Sequence, residues 1–285
     1  MQNTVKLYGV VEGYEKISFV LDKFKCVFFN ADPIPRSSVI LPQHQGFILG
    51  RTSQNKYVYI FSNQDLKIWN ELTLNTWGYF VSSSPNIKTY KIICFEGGIL
   101  NKLFSPSSVC FEYTDGLEIK GKYQDDCQTY PLLNKKIKGN ISIHSNPHER
   151  RTAENGDLIS TGGINLEITF DEEKEIQTFP EIYGYILSMC QFMTFRCNIR
   201  FEAIAFKDHV ENFPQMIDSV AECYVCYEHA YDTDKRMHSY LTFNTLGESV
   251  TNLLDSIVNN KPKRPHFNIG FIPEEPEIVP EQCAV

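Results

Sequence analysis

Cys223-Tyr224-Val225-Cys226, followed by His229, is the place where chemistry-bearing residues stand closest to a ligand spacing. A two-residue gap lets both thiolates reach one zinc ion, and Cys190 and Cys197 could complete a four-ligand set. The second close pair such a site needs is missing. If 221–227 is a regular strand, positions three apart also point to opposite faces, so Cys223 and Cys226 cannot chelate together. They read as reduced cysteines, with neither a metal nor a redox disulfide. His144 and His148 stand four apart, but Ser145-Asn146-Pro147 between them forbids the helix that would bring them together, which leaves a solvated loop. The pairs Asp125-Asp126 and Glu172-Glu173 read as solvated acidic faces, because the carboxylates of acid–base hydrolysis converge from different strands. Lys261, Lys263, Arg264 and His266 form a compact basic cluster among prolines and read as a linker, with a local nucleic-acid contact as the functional counterpart. Gly-x-Ser-x-Gly, Gly-Lys-Ser/Thr and Gly-x-Gly-x-x-Gly segments are all absent. These positions therefore give no catalytic residue, no metal ligand and no cofactor, and they leave the binding residues unidentified.

The elements that would position any site are mostly strands. Of the 285 residues 42% are hydrophobic and 13% aromatic, too apolar for disorder and weighted toward sheet formers. Up to about residue 130, short apolar runs alternate with turn residues. Hairpin strands flank Glu12-Gly13, and further strands are expected over 46–52, 56–62, 66–69, 77–82 and 90–95. Val109 to Lys120 alternates on both sides of Asp115-Gly116, a dipeptide that tolerates a tight hairpin turn. Residues 145–157 are polar and read as an exposed loop between strands at 140–143 and 163–170.

Thr178-Phe179-Pro180-Glu181 combines a capping Thr, an early Pro and a Glu three positions on, so a helix is expected from there to about Phe195, apolar nearly all round and hence buried. Strands follow at 198–206, 221–227 and 239–243. A second helix is expected from the capping-box spacing Thr245-Leu246-Gly247-Glu248, with Leu246, Val250, Leu253, Leu254 and Ile257 on one stripe. The fold class expected is mainly β with an α+β C-terminal part, antiparallel sandwich-like sheets packed with two helices. The division expected is 1–172 β-rich, 173–260 α+β and 261–285 a Pro-rich tail.

Nine cysteines at irregular spacing indicate no disulfide framework. No stretch approaches the ~20 apolar residues of a membrane helix, and the opening residues lack a secretion signal, so a cytosolic address is expected. A net charge of −8 opposes nonspecific nucleic-acid binding by the chain as a whole.

At the level of whole segments the chain resembles the N-terminal region of ApeA-type abortive-infection proteins, bacterial anti-phage factors in which a β-rich module precedes a HEPN ribonuclease domain. The likeness is carried by the strand Lys6-Leu7-Tyr8-Gly9, the many-stranded first half and Gly163-Ile164-Asn165-Leu166-Glu167-Ile168. It continues through the helix ending Met189-Cys190-Gln191-Phe192-Met193-Thr194-Phe195 and the strand after it. HEPN ribonucleases share an Arg followed, after four to six residues, by a His, and no Arg of this sequence has that partner. The resemblance implies a sensing module that responds to a phage-derived trigger and regulates a HEPN ribonuclease domain or a separately encoded effector. It carries no active residue across. The competing readings are a sugar-binding or sugar-hydrolysing β-sandwich, and a single-stranded RNA binder using strand aromatics such as Tyr57, Tyr59 and Phe61.

Overall fold

The computed structural model describes residues 6–31, 38–85, 87–104, 110–113, 119–122, 127–151, 158–195, 199, 201–210, 213–226 and 241–259. Seventeen strands account for most of them. In chain order β1 to β10 are Leu7–Val11, Tyr14–Asp22, Lys25–Asn30, Val39–Leu41, Phe47–Thr52, Tyr57–Phe61, Leu66–Ile68, Glu71–Asn75, Gly78–Ser82 and Thr89–Glu96. The short helix α1 (Leu100–Leu103) follows, then β11 (Cys110–Tyr113), β12 (Ile119–Lys122), β13 (Cys127–Leu132), β14 (Gly139–Arg151) and β15 (Leu158–Glu175). The chain continues through α2 (Phe179–Thr194), β16 (Ala203–Val210), β17 (Phe213–Val225), α3 (Phe243–Leu246) and α4 (Ser249–Asn259).

Thirteen strands form one antiparallel sheet in the order β13-β14-β15-β10-β16-β17-β9-β6-β5-β1-β2-β3-β8. The expected β-rich α+β class is what the chain adopts. β16 and β17, from the second part of the sequence, lie between β10 and β9 from the first, so the sheet runs on across residue 172 without a break.

Both faces of the central strands are buried, and this produces two cores. Along β6, Tyr59 and Phe61 point into a large core with Phe80, Phe206 and the helices, while Val58 and Ile60 point into a second core on the other face with Phe19, Phe28 and Ile48. The first core is capped by α2, whose Phe179, Ile182, Ile186, Met189 and Met193 all face the sheet. The amphipathic α4 adds Val250, Leu254 and Val258 from the side of β13. The second core fills the space between the β1-β2-β3 meander and the β4–β7 ribbon, which contributes Leu41, Leu66 and Ile68.

Several expectations are corrected. Residues 145–151 are strand, not loop: β14 and β15 stay paired out to Arg151↔Leu158, beyond the last pairing with β10 at Asn165. A two-stranded ribbon satisfies its backbone hydrogen bonds across the pair and needs no apolar alternation, which is why pattern reading misses it. Thr178 does not cap α2. Residues Ile176–Thr178 form a 3-10 turn running straight into the helix, and the Thr178 hydroxyl donates to the Glu175 carbonyl at 2.7 Å. Near the C-terminal helix the capping residue is Thr242, which accepts from the Thr245 N–H at 3.1 Å, and Gly247 separates α3 from α4. Phe243, expected in a strand, is instead the fully buried first residue of α3, while 239–240 lie outside the described residues. The Asp115-Gly116 turn also lies outside them. Its flanks pair antiparallel as expected, from Cys110↔Lys122 to Tyr113↔Ile119.

Burial of tyrosines and thiols has a measurable consequence. Burial pushes Tyr79 up to about 12, Cys94 up to about 11 and Cys190 up to about 12, and it raises Tyr90 and Tyr183 as well. Each group stays neutral in the folded chain while its unfolded counterpart ionises at the ordinary value, so its contribution is whole below that value and is lost as pH rises toward the raised one. The melting temperature is expected to fall from about pH 9, where free thiols titrate, and more steeply through pH 10, where tyrosines do. Melts recorded at closely spaced pH values check this; a decline already complete by pH 8 would contradict it.

Candidate functional site

The described residues singled out by spacing stand on several elements. Cys223 is buried in β17, 3% exposed, against Phe80 on the neighbouring strand β9, whereas Cys226 lies just past the strand end and is half-buried. Cys190 is buried in α2, on a different element. His144 sits in β14 opposite Asn165, and His148 is four positions along the same strand. Among the described residues no group of three or more His, Cys, Asp or Glu is arranged to hold a metal. Glu172 and Glu173 are exposed near the end of β15, where Glu173 accepts from the Thr89 hydroxyl at 2.7 Å. Asp125, Asp126, Cys197, His229, Lys261, Lys263, Arg264 and His266 lie outside the described residues.

One polar cluster went unnoticed in the sequence because its members come from three strands. Lys207 in β16 lies 3.8 Å from Glu96 in β10, and Cys94, between them and paired with Glu167 of β15, is wholly buried. Burial pulls Lys207 down, but Cys94, Glu167 and Glu96 more than offset this and hold it above its ordinary value. Burial pushes the thiol up. A charged ammonium beside a neutral thiol has no nucleophile to offer, so the cluster is a structural ion network. Cys26 and Cys223 are raised by burial too. Alkylation at pH 8 is therefore expected to modify the exposed Cys127 while Cys26, Cys94, Cys190 and Cys223 stay unmodified until denaturant is added. Peptide mapping would read this, and rapid native labelling of Cys94 would contradict it.

A surface with the anatomy of a binding site lies at the other end of the sheet. α2 covers the sheet face only as far as β6 and β9, and beyond them the same face continues over β5-β1-β2-β3-β8. Cross-strand pairing places Tyr57, Arg51, Val10, Ser18, Phe29 and Glu71 in one row across six strands. A second row holds Tyr8, Val20, Val27 and Thr73, and a third Asp22, Lys25 and Asn75, with Lys6 beside Asp22 at 2.9 Å. The centre is apolar and wet: Tyr8 is 52% exposed, Val10 38% and Phe29 36%. At one border the Arg51 guanidinium lies over the Tyr57 ring, 5.9 Å from its centroid, and its Nε donates to the Asn55 side-chain oxygen at 2.8 Å.

Of the three strand aromatics expected to bind RNA, Tyr59 and Phe61 are in the core, 6% and 5% exposed, and only Tyr57 reaches solvent. Tyr8 and Phe29 were not singled out; the signal for them is that the alternate positions of β1 and β3 already fill a core, so the aromatics between must face outward. Away from this face, Trp69 is exposed with the Lys67 ammonium over its ring, and Phe192 and Phe195 form an exposed pair at the end of α2.

The fold and this face define a β-rich chain with an apolar, solvent-facing stretch of sheet. No family model, curated protein or solved structure matches the chain. Among the described residues no helix is long and apolar enough to cross a membrane.

Proposed function

We propose that the chain is a non-catalytic recognition module whose ligand seats on the outer face of β5-β1-β2-β3-β8. One observation carries this: Tyr8, Val10 and Phe29 stay exposed on one sheet face that is covered by α2 elsewhere. Exposing them to water loses the stabilisation their burial would give, and contiguous apolar patches rimmed by charge mark binding surfaces. Cys94, Cys190 and Cys223 are buried and kept neutral by that burial, which unsuits them to nucleophilic chemistry and supports binding over catalysis.

On the resemblance to ApeA-type proteins, the module is the sensing part of a bacterial anti-phage system. It acts in the cytoplasm, answers a phage-derived trigger and regulates a HEPN ribonuclease on the same or a separate chain.

The test is phage challenge of bacteria carrying the gene in its native genetic context. Protection is expected with the natural chain and is expected to be lost in a Tyr8→Ser/Phe29→Ser variant at equal soluble level. Protection undiminished by the variant would overturn the assignment of the site, and the absence of protection against every phage tried would overturn the defence role.

A further inference from the structure

Resting on that recognition face, we propose that its ligand is a single-stranded nucleic acid. Two features of the surface select this chemistry over a protein partner.

The first is charge. The whole chain carries −8, yet among the described residues of these rows Lys6, Lys25 and Arg51 stand with Asp22 and Glu71, and Asp22 is already paired with Lys6. The cations lie on both borders of the apolar centre: Lys6 and Lys25 at one end of the strands, Arg51 on the side of β5. A phosphate chain crossing the face meets a positive group at each border.

The second is the spacing of the rings. Tyr8 is two strands and one two-residue step from Phe29, and the same from Tyr57, which the strand spacing converts to about 12 Å in each case. Between Tyr8 and Phe29 these rows hold only Val10, Ser18, Val20 and Val27, too short to obstruct a base lying flat on a ring, while Arg51 stands between Val10 and Tyr57. Separated aromatic platforms on a sheet, flanked by cations, bind unpaired bases by stacking and hold the backbone electrostatically, with little dependence on sequence. The Arg51 guanidinium, held over Tyr57 by Asn55, extends that platform with a second planar surface on which a base can stack. The ligand is single-stranded because paired bases have no free face to offer.

The experiment is fluorescence anisotropy with the full chain and labelled 12-mers of oligo(U) and oligo(dT), with a duplex of equal length as control. Binding of the single strands but not the duplex is expected at about 50 mM salt. With three phosphates engaged, affinity is expected to weaken roughly tenfold to twentyfold by about 200 mM. Tyr8→Ala and Phe29→Ala should each weaken it at least about fivefold. Arg51→Gln should weaken it and flatten the salt dependence. Since all three side chains are exposed, their melting temperatures should match the natural chain's. No single-strand binding at about 50 mM salt, or binding that the three variants leave unchanged, would overturn the proposal. Phage protection that needs Tyr8 and Phe29 in a chain that binds neither oligonucleotide would identify a protein ligand, overturning the ligand class while sustaining the recognition face. Oligonucleotide binding in a chain that gives no protection would sustain this proposal and remove the defence role.

Discussion

Phe179→Ala is expected to destabilise the chain by about 3–5 kcal/mol, the cost of emptying a fully buried aromatic site. Phe179 is the first residue of α2 and has no exposed surface. Its ring lies 5.2 Å from Phe80, 5.5 Å from Phe206, 5.8 Å from Tyr183 and 6.1 Å from both Phe61 and Trp77, measured between centroids. These partners come from β6, the turn before β9, β9 itself, β16 and α2, so one side chain joins the helix to strands from both parts of the sequence. The hole left by alanine cannot close unless α2 slides, and its N-terminus is fixed by the 3-10 turn before it, where the Ile176 N–H donates to the Lys88 carbonyl at 2.9 Å. Domains of ordinary stability have about 5–15 kcal/mol to lose, of which the alanine variant takes a large share, so Phe179→Leu is the graded companion. Urea unfolding read by tryptophan fluorescence suits the measurement, because Trp77 is in the same cluster. A midpoint unchanged in both variants would mean that α2 does not rest on the sheet through this residue.

Gly50→Ala is expected to cost about 1–3 kcal/mol through overpacking, although alanine is the smallest possible side chain. A Cβ at Gly50 would stand 2.4 Å from Cε1 of Phe19, and one at Gly9 would stand 2.8 Å from the same atom and 2.2 Å from the Arg51 carbonyl oxygen. The two glycines thus leave a bare trough across β1 and β5 into which the Phe19 ring lies, on the side of the second core. A ring can turn away from a new methyl group, whereas a backbone carbonyl cannot, so Gly9→Ala is the more damaging of the two. Shrinking the ring should relieve Gly50→Ala: in a double-mutant cycle Phe19→Leu and Gly50→Ala are expected to be less destabilising together than the sum of the two separately. Strict additivity would show that ring and glycine do not compete for the same space. Because Gly9 lies between Tyr8 and Val10, and Gly50 precedes Arg51, this trough on the inner side sets the level of the proposed recognition face on the outer side.

Local features of this protein are legible in its sequence. The β1–β2 hairpin, the strands β5, β6, β9 and β10, the pairing of β11 with β12 and the run of α2 all follow from turn residues and from apolar spacing over a few neighbours. The two cysteines three apart are dismissed as a chelating pair from the two-residue strand period; the strand ends at Val225, between them, with Cys223 buried and Cys226 half-buried. The weight of apolar and aromatic residues likewise settles that a large β-rich core forms.

What the tertiary structure alone decides is neighbourhood and facing. The insertion of β16 and β17 between β10 and β9 joins residues more than a hundred positions apart, and no local spacing encodes which strand edge pairs with which. Facing is the subtler case. Tyr57, Tyr59 and Phe61 lie on one side of β6 by their period of two, but Val58 and Ile60 on the other side are just as apolar, so alternation cannot say which side is wet. In the fold both sides are buried over most of the strand, and Tyr57 reaches solvent because it stands where the cover of α2 ends. The proposed recognition face is what remains of that same surface when the helix stops: its residues are fixed by sequence, and their exposure by how far α2 reaches.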